Sequence, residues 1–301
     1  MLRVLIDVLV PVYAIVGLGF LSARTVGVDS KALATLSYWV LGPAFIFDIL
    51  SEAELAPQVV LKVVVASVAT MFVIGGIAAV AMRALGASFS TLAASVLTAI
   101  HGNVGNFGLA ICAFAFGADV LPIAGIVMVT VNTVGILVGV GMATIRHGSL
   151  ARAAVTAVIS PLALAVVPAL LVNVSNAELP VWLDRPISLL AGALIPVMLL
   201  TLGVQLAGMS RTTLPSRLVA VPVVLKLLLA PLVAWLTVIL LRLTGDAGSV
   251  VILQAAMPAA VFTSLIALEH DLEADFVTSA VLVGTLLSAL TLPVVIPLLG
   301  S

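Results

Sequence analysis

The stretch His101-Gly102-Asn103-Val104-Gly105-Asn106-Phe107-Gly108 decides the fold class, because it interrupts a long apolar run with glycines, asparagines and a histidine. Glycine and asparagine are poor helix formers. At 1.5 Å per residue, the stretch begins about 20 Å into the apolar run at 88–117, near the bilayer midplane. Irregular backbone at that depth persists only where it lines a polar cavity or packs within protein. Close helix packing through glycine is the simpler explanation, but packing does not require His101, Asn103 and Asn106, so the stretch predicts a polar cavity.

The composition is that of a membrane protein. Of the 301 residues, 63% are apolar and 8% are charged, whereas a soluble domain carries about a quarter charged residues. Apolar runs of bilayer-spanning length, about 20 residues, cover 4–23, 31–50, 58–83, 88–117, 119–146, 150–172, 180–206, 214–243, 248–269 and 273–299. Since the connections are short, the sequence predicts an all-α membrane protein of ten transmembrane helices with no soluble domain.

The basic residues predict the orientation in the membrane. One set of loops holds Arg24, Lys31, Arg83, Arg146, Arg152, Arg211 and Arg217, and the opposite face holds Arg3, Arg185 and Arg242. Loops rich in lysine and arginine stay on the cytoplasmic side. We therefore expect a multi-pass protein of the cell inner membrane with both termini on the outer, periplasmic side.

A second interruption is predicted in the ninth helix. Pro258 cannot donate a hydrogen bond to the carbonyl of Gln254, so an acceptor is released deep in the membrane. Pro43 and Pro196 lie 153 positions apart (196 − 43), and Gly105 and Pro258 have the same spacing (258 − 105). A lone proline kink is common in membrane helices, but paired interruptions in two inverted halves indicate a transporter's binding site.

Few other polar side chains fall inside the predicted spans. Lys226 lies about 12 residues into the eighth helix, too deep to reach the interface easily, so it should face the interior and pair with a carboxylate or an anion. Asp48 is nearer the outer end of the second helix. Three roles remain open for it: a hydrated carboxylate, an ion pair with Lys62, or ion coupling. Asn132 either faces the cavity or bonds a neighbouring helix, and Gln205 sits near a helix end.

The sequence offers little enzyme chemistry. It contains no zinc-protease motif, no hydrolase elbow and no phosphate-binding loop. The single cysteine, Cys112, excludes an internal disulfide, and the three histidines, His101, His147 and His270, form no credible ligand set because the last two are predicted in loops. With a net charge of −1, nucleic acid is not an expected partner. We expect neither an enzyme nor a resident metal or cofactor.

The interruption at 101–108, the break at Pro258 and the ten-helix plan resemble the auxin efflux carrier family, whose bacterial members include malonate and malate permease-like proteins. The likeness covers essentially the whole chain, and a related pair of broken helices occurs in the bile acid:sodium symporter fold. The resemblance implies two inverted five-helix repeats whose broken fourth and ninth helices cross. It also implies a scaffold of residues 1–57 and 148–210, a transport unit of residues 58–147 and 211–301, elevator-type movement and a homodimer through the scaffold.

The family's polar crossover residues correspond to Asn103 and Asn106, and its intramembrane lysine to Lys226. Plant members place an acidic residue near that lysine on the third helix, whereas the third helix here holds Lys62 and no carboxylate. This difference puts proton coupling through such a pair in doubt.

The sequence as a whole favours a secondary active transporter or facilitative carrier for a small organic anion, such as malonate, malate or an auxin-like acid. The predicted substrate-binding residues are His101, Asn103, Gly105, Asn106, Asn132, Lys226 and Pro258. Sodium-coupled symport is the alternative, with Gln254, Thr263 and Ser264 as oxygen ligands, and Asp48 is the candidate for ion coupling. A non-transporting membrane receptor or an intramembrane enzyme is the alternative of another class.

Overall fold

The computed structural model describes residues 4–144, 155, 159–209, 217–269 and 272–300. Arg3, Arg146, His147, Arg152, Arg211 and His270 lie outside these residues. The helices are α1 Leu5–Thr25, α2 Ser30–Ser51, α3 Pro57–Ala84, α4 Phe89–Ile100, α5 Val104–Phe116, α6 Leu121–Thr144, α7 Pro161–Ser175, α8 Val181–Gly208, α9 Arg217–Leu240, α10 Asp246–Ala255, α11 Phe262–Glu269 and α12 Ala274–Leu299.

Seven of the described helices, α1, α2, α3, α6, α8, α9 and α12, are long and apolar enough to cross a membrane. The prediction of an all-α, multi-pass membrane protein is therefore confirmed. The predicted runs 88–117 and 248–269 each correspond to two shorter helices, α4 with α5 and α10 with α11. The predicted run 150–172 corresponds in part to α7, because several of its first residues lie outside the described part of the chain.

Prolines near the start of a helix segment shape three of the long helices. Widened, π-helical turns at Leu5–Leu9, Ser37–Leu41 and Leu225–Leu229 each end two residues before a proline. Proline has no N–H to donate to the preceding turn, and a local widening of the helix is one way to accommodate that loss. The helices consequently continue through these prolines.

The helices pack in two groups. In the first group α1 packs against α8, and α2 packs against α7 and α8. In the second group α3 contacts α4, α6 and α9, while α10 contacts α3, α6 and α9. The second group also includes α5, which contacts α6, and α11 and α12, which contact each other and α4. The α1–α8 contact is unusually close: a Cβ added at Gly19 would meet the backbone of Leu200, and one added at Gly203 would meet the backbone of Val16 and Phe20. Small residues allow such backbone approach in membrane helices.

Replacing Gly203 with alanine should destabilise the α1–α8 contact, because the new methyl group would meet backbone atoms that cannot rotate away. Overpacking of this kind costs about 1–3 kcal/mol, which should lower the thermal unfolding midpoint in detergent by several degrees. Gly17→Ala on α1 is the matched control, since nothing lies within 4 Å of a Cβ there. Equal midpoints for the two variants would contradict this close packing.

Candidate functional site

Two non-helical segments meet between the four short helices. The first, His101–Asn103, joins α4 to α5, and the second, residues 256–261, joins α10 to α11. The N–H of Asn103 donates to the carbonyl of Pro258 at 2.7 Å, and the N–H of Ala260 donates to the carbonyl of His101 at 2.9 Å. Gly102 and Ala259 thus form an antiparallel bridge. We call residues 101–103 and 258–260 the crossing.

The crossing provides hydrogen-bond partners for irregular backbone that would otherwise lack them inside a membrane. Buried N–H and C=O groups need partners, and in hydrocarbon no water can supply them. Here a carbonyl of each segment accepts a hydrogen bond from an N–H of the other segment. This pairing explains how α4 and α10 can end at the same place. Pro258 suits this position because its missing N–H is not required by the pairing, while its carbonyl is used.

A large cavity of about 880 Å³ lies beside the crossing. Asn103, Asn106 and Asn132 line it from the second helix group, and Ser37, Thr201 and Gln205 line it from the first. Charged lining residues are Lys31, Glu269 and Asp275, which lie at or next to helix ends. The polar side chains of the described wall near the crossing are therefore neutral amides and hydroxyls, set among apolar residues.

Several polar atoms of this wall have no hydrogen-bond partner among the described residues. They are Asn103 Nδ2 and Ser264 Oγ on the second group and Ser37 Oγ and Gln205 Oε1 on the first. Buried polar atoms without a partner are rare in folded proteins, and each one calls for an explanation such as a ligand or water. Because each of these atoms is itself buried, it would meet a molecule in the cavity only after its side chain rotates toward the cavity.

His101 lies behind the cavity wall instead of on it. Its side chain is 1% exposed, and its Nε2 is 3.2 Å from Asn132 Oδ1. Asn132 Nδ2 donates to the carbonyl of Met128 at 2.9 Å, so Oδ1 faces the histidine and accepts from Nε2. A Cβ at Gly135 would collide with the imidazole. His101 therefore fixes the orientation of Asn132, which itself lines the cavity.

Lys226 also lies behind the crossing. It is 5% exposed, and its Nζ donates to the carbonyl of Ala255 at 3.0 Å. A Cβ at Gly102 would come within 2.8 Å of the same nitrogen, so the ammonium is next to the peptide backbone of the crossing. It sits at the C-terminal end of α10, where the helix dipole favours a cation.

The structure separates the residues predicted to bind a cation. Gln254 is fully buried beside Gly108 and Lys226, away from the large cavity, whereas Ser264 lines that cavity. Thr263 donates to the carbonyl of Ala260 at 2.6 Å. A sodium ion beside Gln254 would therefore have an ammonium as its neighbour, which is unfavourable.

The other predicted residues are distributed as follows. Gly105 lines the cavity and packs against Met128 and Met198. Asp48, near the far end of α2 from Lys31, accepts a bond of 2.7 Å from Ser188 Oγ. Lys62 donates instead to the carbonyl of Arg242 at 3.3 Å. Sequence reasoning missed Ser37 and Thr201 and left Gln205 as a helix-end residue, because nothing in their local sequence distinguishes them from polar residues that bond within a helix.

Comparison with known proteins agrees with this architecture. The model of the membrane transport protein family matches residues 145–296, just over half of the chain. A Methanothermobacter thermautotrophicus protein named "Uncharacterized transporter" is 34% identical over 110 residues, which make up 35% of this chain and only 34% of that relative. A Rhizobium meliloti protein named "Putative malonate transporter" is 24% identical over 308 residues, 97% of this chain and 94% of that protein. The chain belongs to the membrane transport protein family, which confirms its resemblance to the auxin efflux carriers.

Proposed function

We propose that this chain is a secondary carrier for a small organic anion, bound in the large cavity beside the crossing. The observation that carries the proposal is the position of the crossing: its residues Gly102, Asn103 and Ala260 line a cavity that both helix groups enclose. A carrier of the alternating-access type needs a site of this kind, at mid-membrane and between two bodies that can move relative to each other.

The electrostatics near the crossing favour an anion. The helices α5 and α11 both begin there, and their first N–H groups and dipoles favour negative charge. The ammonium of Lys226 lies directly behind Gly102, and no described carboxylate is within ion-pair distance of it. Among the described residues, the negative side chains that line the cavity, Glu269 and Asp275, lie at the last residue of α11 and the start of α12, away from the crossing.

A small carboxylate is the proposed substrate class. The Rhizobium meliloti relative, similar along almost its whole length, has malonate in its name. A cavity of about 880 Å³ can hold a dicarboxylate of that size together with water. Asn106 and, after rotation of their buried side chains, Asn103 and Ser264 would supply donors for carboxylate oxygens, and Gln205 Oε1 would likewise supply an acceptor for a hydroxyl or water.

We further propose an elevator-type movement. In this proposal α1, α2, α7 and α8 form the scaffold, and the remaining helices form the transport unit that carries the crossing. Support comes from the boundary: Met198 on α8 packs against Gly105, and Tyr13 on α1 bonds Ser288 on α12 at 3.2 Å. These contacts and the others along the boundary would exchange as one group slides past the other. Lys31, one of the basic residues expected on the cytoplasmic side, lies at the mouth of the cavity. In this proposal the cavity therefore opens to the cytoplasm and both termini are periplasmic. A homodimer would form through the scaffold.

Replacing Asn103 with alanine should lower uptake of malonate into proteoliposomes by about tenfold, because a substrate hydrogen bond to a charged oxygen contributes about 1.5–3 kcal/mol. The fold should survive, since the pairing of Asn103 with Pro258 uses backbone atoms. Asn176→Gly is the control: it is exposed, in left-handed conformation at the end of α7, where glycine is well accommodated. Undiminished uptake by Asn103→Ala and Asn106→Ala would reject this site.

A further inference from the structure

A second, smaller cavity of about 20 Å³ lies behind the crossing and shares no lining residue with the large one. Its polar lining side chains are Ser67, Thr70, Lys226 and Gln254, and its remaining lining is apolar or backbone. A cavity needs roughly 10–15 Å³ to hold one water. The small cavity therefore has room for one molecule or ion of about the size of water and is too small for a dicarboxylate.

The ammonium of Lys226 is incompletely satisfied. It has three donors, of which one is used by the carbonyl of Ala255. Among the described residues no aspartate or glutamate forms an ion pair with it. Intramembrane lysines normally face a partner of opposite charge because an isolated buried charge is costly. A charged Lys226 therefore calls for a negative group, and the described residues do not provide one.

The amide of Gln254 is unsatisfied in the same place. The side chain is 0% exposed, and neither its Nε2 nor its Oε1 has a hydrogen-bond partner. Its Nε2 carries two donors. By contrast, the hydroxyls of Ser67 and Thr70 already donate to the carbonyls of Val63 and Ala66, at 2.8 Å each. The free hydrogen-bonding capacity around the cavity therefore comes mainly from the donors of Lys226 Nζ and Gln254 Nε2 and from one acceptor, Gln254 Oε1.

We propose that the small cavity binds a monovalent anion of chloride size, with Lys226 as its counter-ion and Gln254 as an amide donor. A cation is excluded because it would lie beside the ammonium. A water molecule would satisfy Gln254 but would leave the charge of Lys226 uncompensated, whereas an anion would compensate that charge and accept from Gln254 Nε2, although it offers no donor to Gln254 Oε1.

The two anion sites should influence each other. Gly102 lines the large cavity and also touches Lys226, so one peptide unit separates the ammonium from the proposed substrate. If the same ammonium attracts both anions, each should weaken the binding of the other, and linkage requires the two effects to be equal. This consequence rests on the proposed function, whereas the small anion site itself does not.

The test is thermal unfolding of the purified full-length protein in detergent, without organic substrate. At constant sodium concentration and ionic strength, replacing methanesulfonate, which has no carboxylate and exceeds the small cavity, by chloride should raise the midpoint by about 3 °C or more and saturate, because a ligand of the folded state stabilises it. Lys226→Met should remove the shift. Lys62→Met should keep it, since that partly exposed lysine also donates to a backbone carbonyl. No shift in the wild type, or the same shift in Lys226→Met, would overturn the proposal.

A second measurement needs no variant. Crystals of the wild-type protein grown in bromide should show an anomalous peak within hydrogen-bonding distance of Lys226 Nζ. A cavity that holds only water under these conditions would overturn the anion site even if Lys226→Met does not fold. Neither experiment depends on malonate transport, so failure here leaves the proposed carrier function standing.

Discussion

Replacing Gly102 with valine should reduce malonate uptake by about 100-fold. A Cβ at this position would lie 2.8 Å from Lys226 Nζ and 2.9 Å from its Cε, and the γ-methyl groups would add to the clash. Lys226 cannot retreat far, since it is held by Ala255 and almost fully buried. Overpacking by about 1–3 kcal/mol should therefore shift the backbone that pairs Gly102 with Ala259, and the substrate site with it. Uptake by proteoliposomes measures the effect.

The control is Gly76→Val on α3, where nothing lies within 4 Å of a Cβ. This variant should transport like the wild type. The clash in Gly102→Val should lower both the unfolding midpoint and transport. The double variant Gly102→Val with Lys226→Ala removes the lysine that clashes, so it should recover part of the unfolding midpoint but should not recover transport. Normal uptake by Gly102→Val would mean that the crossing does not hold the substrate site.

The place of the crossing could be predicted because its causes are local. Glycine and asparagine at 102–106 weaken the helix, and Pro258 removes an N–H. The local sequence of each segment is therefore enough to predict its interruption. The pairing of Asn103 with Pro258 could not be predicted, because residues so far apart in sequence meet only through the packing of the other helices. The same packing explains why residues 256–261 are non-helical, a wider gap than one proline requires.

Depth in the membrane was easier to predict than direction around a helix. The burial of Lys226 was expected from its distance to the helix ends and is confirmed. Its direction was not accessible, because a helix that is apolar on all faces has no periodic pattern to show which face meets a cavity. For this reason the sequence did not predict that His101 and Lys226, both expected to bind substrate, lie behind the cavity wall. Nor did it predict that Ser37 and Gln205 line the cavity.

Replacing Lys226 with glutamine should lower the apparent affinity for malonate by about 30-fold. Two unit charges about 8 Å apart interact by about 2 kcal/mol at an effective dielectric constant of about 20, and the ammonium lies one peptide unit from the large cavity. Glutamine keeps a donor for the carbonyl of Ala255 but carries no charge. The loss should therefore be in KM, measured by initial uptake rates at increasing malonate concentration in chloride-free medium, where no small anion neutralises the ammonium.

Lys62→Gln is the matched control, because it removes a lysine of α3 that donates to the carbonyl of Arg242 and should leave KM unchanged. The thermal midpoint of Lys226→Gln should not fall much, since removing a buried charge also removes the cost of burying it. An unchanged KM in Lys226→Gln would show that the ammonium does not attract the substrate. The positive potential for an anion would then have to come from the N-terminal ends of α5 and α11 alone.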